Sequence, residues 1–270
     1  MTLKWIAPSE VSNALEGRLS SAIEMAAMAG EVTLKYFRTR IGVQRKGDNS
    51  PVTIADQEAE KAIRSELERR YPKDSILGEE FGVQAGTSEY QWIIDPIDGT
   101  KSFISGVPLY STLIGIVRDR ECLGGVILIP ALNEIVLAAR GTGAWHASGD
   151  EVLTKCAVSQ RKLADGLFAF TQVDSFAKRG AGEGYHQLEA AAYVTRSWGD
   201  GYGYMLVATG RAELMVDPIA NPWDLAAVQP IIEEAGGRFT SWTGESTVFG
   251  GDGIGSNGLS HELALKILRG

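Results

Sequence analysis

The chain has 270 residues, 44% of them hydrophobic and 22% charged, with a formal net charge of −8. That length allows a large buried core and two subdomains, while the negative balance argues against a general nucleic-acid binder. No apolar run reaches the roughly 18–20 residues of a membrane span, and the opening Met1 to Ala7 has no extended apolar core, so no secretory signal is expected.

Ser9 to Phe37 carries Leu15, Leu19, Ile23, Ala26, Gly30 and Phe37 at helical spacing and predicts one amphipathic helix. Ile41 to Pro51 reads as a polar loop containing Lys46-Gly47-Asp48. Pro51-Val52-Thr53-Ile54-Ala55-Asp56 leads into a helix from Gln57 to Tyr71, with Ala59, Ile63, Leu67 and Tyr71 at every fourth position and Pro72 ending it. Strands are predicted over Trp92–Asp95, Ser111–Arg118, Cys122–Ile129 and Glu134–Ala139, as an antiparallel meander.

After Arg140-Gly141-Thr142-Gly143 the pattern changes. Leu167–Thr171 reads as a strand, Ala177–Tyr185 as a mobile Gly-rich connection, Asp200–Gly210 as a helix and Glu213–Val216 as a strand. A helix follows over Leu225–Ala235, which Pro230 should bend or shorten, then a strand over Gly253–Ser256 and a helix over His261–Leu268. Alternating strands and helices suggest α/β layering in this half. The organisation is therefore mixed α/β in two parts, 1–143 and 144–270. Cys122 and Cys156 lack metal-ligand spacing and read as reduced apolar residues of a cytoplasmic protein. His146, His186 and His261 show no zinc pattern and read as surface or loop residues.

The most informative segment is Trp92-Ile93-Ile94-Asp95-Pro96-Ile97-Asp98-Gly99-Thr100. An apolar strand ends in two carboxylates, the place where open α/β sheets put ligands. Pro96 removes a backbone donor, and Gly99 permits a tight turn and close approach. The pattern points to hard metal ions on carboxylate oxygens, beside N–H groups that receive a phosphate. A lone D-x-x-D is ordinarily a solvated turn or cap. Four further features change that weighting. They are Gly78-Glu79-Glu80 after Ile76-Leu77, Asp56, Pro222-Trp223-Asp224 with Glu233-Glu234-Ala235-Gly236-Gly237, and Lys46-Gly47-Asp48. Asp56 and Asp224 each also fit a plain capping role.

Together GEE, DPIDGT, VTxAD and WD…EAGG resemble the inositol monophosphatase family of Mg-dependent, lithium-sensitive phosphomonoesterases, over nearly the whole chain. DGTKSFISGVP and RSWGDGYGYMLVATGRAE are most similar to its histidinol-phosphate phosphatase branch. The resemblance implies an α/β (α+β layered) fold, the αβαβα five-layer sandwich of the inositol monophosphatase and fructose-1,6-bisphosphatase type. It implies one catalytic unit, with most metal ligands in 1–143 and Asp224 and the specificity residues in 144–270.

Phosphate monoester hydrolysis is among the slowest uncatalysed reactions, and Mg²⁺ helps by neutralising phosphoryl oxygens, acidifying water and stabilising the departing oxygen. The resemblance assigns Glu79, Asp95 and the Ile97 carbonyl to a first Mg²⁺ and Asp95, Asp98 and Asp224 to a second. A third, weaker ion lies near Glu79, and Mn²⁺ is a possible substitute. Glu80 is expected in a supporting or surface role. The N–H groups of Gly99 and Thr100 should hold the phosphate. Asp56 should accept the Thr100 hydroxyl, and that pair, with Glu79, should orient the attacking water without a covalent phosphoenzyme.

Substrate contacts are expected from Arg196, Asp200 and Asp217. Asp217 stands where inositol-specific relatives place a Glu. Asp200 is either an N-cap or an anion facing a cationic group, and histidinol phosphate carries an ammonium and an imidazole. Lys101-Ser102 and Asp200 depart from the inositol pattern, although Lys101 also fits a solvated surface charge. The expected activity is hydrolysis of L-histidinol phosphate. The alternatives are another small phosphate (inositol 1-phosphate, a nucleoside or sugar bisphosphate) or an idle relative that binds phosphate or a protein. The complete set Asp56, Glu79, Asp95, Asp98, Thr100 and Asp224 speaks against the idle relative. A homodimer is expected, with a small phosphate monoester as ligand and neither nucleic acid nor membrane as partner.

Overall fold

The computed structural model describes Trp5, residues 7–45, Gly47 and residues 51–269. Lys46 and Asp48 lie outside the described residues. The first helical stretch is not continuous: α1 (Ser9–Ser12) passes through a 3₁₀ turn at Ala14–Gly17 into α2 (Arg18–Tyr36). Leu15, Glu16 and Gly17 take φ of 53°, 57° and 79°, which ends one helix and starts another. The break lays Leu15 over Gly124, where an added Cβ would stand 2.8 Å from Leu15 Cδ1. Where a loop was expected, β1 (Val43–Arg45) and β2 (Pro51–Thr53) pair antiparallel. The next helix, α3 (Ile54–Arg70), begins three residues before Gln57, because Thr53 caps it and Asp56 completes a capping box.

The next strands are β3 (Ser75–Gly78), β4 (Gly82–Gln84) and β5 (Tyr90–Asp98). After the short α4 (Thr100–Ile104) come β6 (Ser111–Arg118), β7 (Glu121–Ile129), β8 (Glu134–Ala139), β9 (Gly143–Ser148) and β10 (Thr154–Cys156). They form an eight-stranded sheet in the order β10-β9-β8-β7-β6-β5-β3-β4. The expected meander is its β5–β8 part, but the sheet continues past residue 143 as far as Cys156.

The remaining chain supplies β11 (Leu167–Phe170), α5 (Val173–Lys178), α6 (Gly182–Ala191), β12 (Val194–Arg196) and α7 (Asp200–Ala208). Then follow β13 (Leu214–Asp217), α8 (Pro222–Leu225), α9 (Val228–Glu234), β14 (Arg238–Thr240), β15 (Gly253–Ser256) and α10 (His261–Arg269). A five-stranded sheet runs β12-β11-β13-β15-β14. The stretch read as a mobile loop instead ends α5 and begins α6, because Phe176, Tyr185 and Leu188 bury an apolar face against this sheet. The expected helix over 225–235 is divided into α8 and α9; Pro230 has no N–H to continue a helix through its first turn.

Helices α2 and α3 cover one face of the large sheet, α7, α8 and α9 lie between the sheets, and α5, α6 and α10 pack outside the smaller one. This is the five-layer αβαβα sandwich. His261 corrects the surface reading: it is fully buried, 2.8 Å from Thr240 Oγ1 and 2.9 Å from Ser256 Oγ. His146 is partly buried against Glu134 at 2.8 Å, His186 is exposed, and both cysteines are free. No helix among the described residues is long and apolar enough to cross a membrane.

Two glycines decide where the layers meet. An added Cβ on Gly115 would come within 2.7 Å of Ala226 Cβ, and one on Gly125 would overlap the Ala227 carbonyl. The α8–α9 junction therefore rests directly on β6 and β7. That close approach delivers Asp224 to the end of β5.

Candidate active site

Residues three apart on a regular strand face opposite sides of the sheet. Asp95 and Asp98 nevertheless converge, because β5 bulges between them: Asp95 pairs with Leu113 and Asp98 with Ser111, two residues on. Pro96 cannot donate to the ladder, and its carbonyl instead accepts the Thr112 hydroxyl at 2.9 Å. Carboxylate oxygens of Asp95, Asp98 and Asp224, one from each, all lie within 4.8 Å of one another.

Each carboxylate is fixed by local hydrogen bonds. Asp95 accepts the Ile97 N–H at 3.0 Å, and Asp98 Oδ2 accepts the Ser111 hydroxyl at 2.6 Å and the Gly201 N–H at 2.5 Å. Asp224 Oδ2 accepts the Asn221 N–H at 2.6 Å at the start of α8. Asp56 Oδ2 likewise accepts the N–H and hydroxyl of Thr53, at 2.8 and 2.6 Å. For Asp56 and Asp224 the capping and functional readings are compatible, since capping occupies one oxygen and leaves the other. Asp56 Oδ1 faces the Thr100 hydroxyl at 3.4 Å, a hydroxyl that also donates to the Ile97 carbonyl at 3.1 Å. Glu79 reaches Asp95, Asp56 and Asp224 electrostatically. Its loop is held by the fully buried Glu60, which accepts the Glu80 N–H at 2.8 Å and pairs with Arg64 at 2.8 Å.

Burial and mutual repulsion keep these acids from ionising freely. Desolvation, then the charges of Glu79, Asp98 and Asp224, hold Asp95 well above the usual carboxylate range. Desolvation, then Asp200 and Asp224, do the same to Asp98. Asp224 is pushed up to about 8 by desolvation, against its Asn221 hydrogen bond. Desolvation also raises Asp56, against its bonds to Thr53. A tight group of hard oxygen donors that repel one another fits Mg²⁺, whose charge would relieve the repulsion.

The cluster opens into a cleft of about 410 Å³ lined in part by Glu79, Asp98, Gly99, Thr100, Asp224 and Ser197. Gly99 turns at φ 81° into α4, with Asp200 Oδ2 packed 2.8 Å from where its Cβ would be. Asp200 itself takes φ 56° as the first residue of α7, and its side chain caps nothing, so the N-cap reading is set aside. Desolvation and the charge of Asp217 push it to about 7, against Lys101. Asp217 is buried, raised by desolvation to about 6, and accepts the Thr171 hydroxyl. Neither acid forms an ion pair among the described residues. Lys101 spans the mouth instead, donating to Gln172 Oε1 at 2.9 Å.

Arg196 is not brought to this cleft. It is exposed at the end of the edge strand β12, and its guanidinium returns to the Thr195 carbonyl at 2.7 Å. Sequence reasoning missed Ser111, Thr171, Gly201 and Glu60. All four act through contacts more than ten residues away, which no local pattern reveals.

The profile of the inositol monophosphatase family matches residues 15–270. A histidinol-phosphatase of Chlorobaculum parvum is 41% identical over 255 residues, 93% of this chain and 97% of that one. A histidinol-phosphatase of Mycobacterium tuberculosis is 36% identical over 252 residues, with the same shares. A fructose-1,6-bisphosphatase/inositol-1-monophosphatase of Thermotoga maritima is 32% identical over 260 residues, 93% of this chain and 95% of that one. Among solved structures, a Thermotoga maritima IMPase superposes with a TM-score of 0.83 at 31% identity, covering 93% of this chain and 96% of that one.

Proposed function

The chain belongs to the inositol monophosphatase family of Mg-dependent enzymes and is a phosphoric monoester hydrolase, and we propose that its substrate is L-histidinol phosphate, released as L-histidinol and phosphate. The observation that carries this reading is the pair Asp200 and Asp217, two desolvated acids in the wall of the phosphate cleft without an ion-pair partner among the described residues. Such a pair suits an ammonium or imidazolium on the substrate body. The relatives named histidinol-phosphatase support the same choice.

Asp95, Asp98 and Asp224, with Glu79 and the Ile97 carbonyl, would hold two to three Mg²⁺ ions, with Mn²⁺ as a substitute. Bound, these ions would neutralise the phosphoryl group, make water more acidic and stabilise the leaving oxygen. The rest falls to the chain's own groups. The N–H groups at Gly99 and Thr100 face the phosphate. Asp56 Oδ1 draws on the Thr100 hydroxyl proton, so the Thr100 oxygen can present a lone pair to the attacking water, with Glu79 alongside. Water adds to phosphorus, the ester oxygen leaves carrying a proton, and no phosphoenzyme forms. Residues 1–143 supply most metal ligands and 144–270 supply Asp224 and the acids that face the substrate body, as one catalytic unit. Family resemblance supports a homodimer, and the two free cysteines support a cytoplasmic setting.

The test is phosphate release from L-histidinol phosphate, inositol 1-phosphate, glycerol 2-phosphate and nucleoside and sugar bisphosphates, with Mg²⁺ and after exhaustive chelation. The expected result is Mg-dependent turnover that is fastest on histidinol phosphate. A preference for inositol 1-phosphate would move the substrate to the alternative named by the Thermotoga relative. Full activity without metal would overturn the mechanism.

A further inference from the structure

Tyr204 is a fully buried side chain that the mechanism above does not use. It stands on α7 against β15, in a slot made by two glycines. An added Cβ on Gly255 would fall 2.8 Å from its ring carbon Cδ1, and one on Gly253 would fall 2.9 Å from its hydroxyl. Neither glycine has a positive φ, so what their lack of a side chain provides is room for the ring. In the β13–β15 ladder Gly253 is the direct partner of Asp217 and Gly255 of Met215. The slot therefore carries the phenol along the strand to the residue facing Asp217.

At that point the hydroxyl lies beside Asp217, with the charges of Asp224 and Asp98 also reaching it. It is not aligned for a full hydrogen bond with any described residue. A buried hydroxyl left in that state costs stability, and phenylalanine would fill the same space without the cost. The other carboxylate contact is complete, since the Thr171 hydroxyl donates to Asp217 Oδ1. A second donor would fix the rotation of the carboxylate about that first bond.

We propose that Tyr204 is a positioning residue, whose hydroxyl closes onto Asp217 and orients that carboxylate toward the body of the bound substrate. The proposal deepens the function above and takes from it that Asp217 faces the substrate body. It adds a residue in the intermediate layer to the specificity apparatus, and it gives a reason for glycine at 253 and 255.

The experiment is a double-mutant cycle of Tyr204→Phe and Asp217→Asn. Steady-state kinetics are read on L-histidinol phosphate and on glycerol 2-phosphate, with a thermal melt of each variant. Tyr204→Phe should raise KM for histidinol phosphate about fivefold to tenfold with kcat within about twofold. The loss in kcat/KM should exceed that on glycerol 2-phosphate by about fivefold. The double variant should be within about twofold of Asp217→Asn alone, because both changes remove one interaction. Tm should stay or rise. Equal losses on both substrates through kcat, or effects that multiply in the double variant, would overturn the proposal and leave Tyr204 as packing. If the wild type prefers a phosphate whose body carries no cation, the substrate reading fails separately. The same cycle on the preferred phosphate then decides Tyr204: coupling in KM upholds it, and independence overturns it.

Discussion

Asp98 accepts a hydroxyl and an N–H on the same oxygen, so asparagine can keep its shape and those bonds while losing the charge. Asp98→Asn should lower kcat at saturating Mg²⁺ by at least about a hundredfold, because charge neutralisation carries most of the catalysis. Its chelated form should melt no lower than wild type, since one repelling charge has left the cluster. A folded variant with near wild-type turnover would remove Asp98 from the ligand set. Asp200 needs a different substitution. Its φ of 56° penalises alanine, whereas asparagine tolerates that region. A hydrogen bond to a charged group contributes about 1.5–3 kcal/mol. At about 1.4 kcal/mol per decade, Asp200→Asn should therefore cut kcat/KM for histidinol phosphate by about 10- to 150-fold. Inositol 1-phosphate has no cation to lose and should change by less than about threefold. Equal losses on the two would make Asp200 a structural residue of the α7 start.

Elements, rather than residues, bring the acids together, and they show where the sequence was readable. The strand ending in Asp95 and Asp98 was plain from Trp92-Ile93-Ile94 and Pro96. The bulge that turns both acids to one side was not, because it depends on pairing with Leu113 and Ser111. Asp56, expected to face Thr100, and Asp224, expected as a ligand, were both legible as caps, and in each the cap takes one oxygen and leaves the other for the expected role. The break at Leu15 was hidden, since it answers to Gly124 more than a hundred residues on. The helices replacing the Ala177–Tyr185 loop were masked by glycines, whose poor helix propensity the burial of Phe176 and Tyr185 overrides. Arg196 was misplaced because adjacency to Asp200 in sequence says nothing about a strand edge. The glycines of β6 and β7 carry no local signal of their role, yet they set the distance between layers. Gly125→Ala should push the Ala227 backbone off the sheet and cost about 1–3 kcal/mol of stability in denaturant melts. Because Asp224 rides on that junction, the Mg²⁺ concentration for half-maximal activity should rise at least about threefold. An unchanged Mg²⁺ requirement would show that α8 is positioned by other contacts.

The whole molecule folds around acids gathered between its layers, and its stability should follow their protons. Asp217, Asp200 and Asp224 titrate near about 6, 7 and 8 when folded, against about 3.8 for an ordinary Asp. The folded chain thus binds more protons than the unfolded one across that interval, so without metal its stability falls as pH rises from about 4 to 8. His261 works in the opposite sense. Burial between β14, β15 and α10, then Arg238, lowers it from 6.5 to about 4. The unfolded chain takes up that proton first, so stability is lost as pH falls from 6.5 to about 4, by up to about 3 kcal/mol. In chelator the three acids outweigh the one imidazole, so the denaturation midpoint should fall throughout pH 4–8, and His261→Gln should steepen that fall below about pH 6.5 alone. With the proposed ligand set, magnesium would compete with protons for Asp95, Asp98 and Asp224, so its stabilisation should grow with pH. At a hundred times its Kd, one ion adds about 2.7 kcal/mol, enough to offset most of the decline above pH 6. Urea melts from pH 4.5 to 8.5, with EDTA or with Mg²⁺, measure the decline and the magnesium increment. A magnesium increment that is the same at pH 5.5 and 8 would mean that ion and protons do not share those carboxylates, and the metal would then have to be sought elsewhere in the cleft.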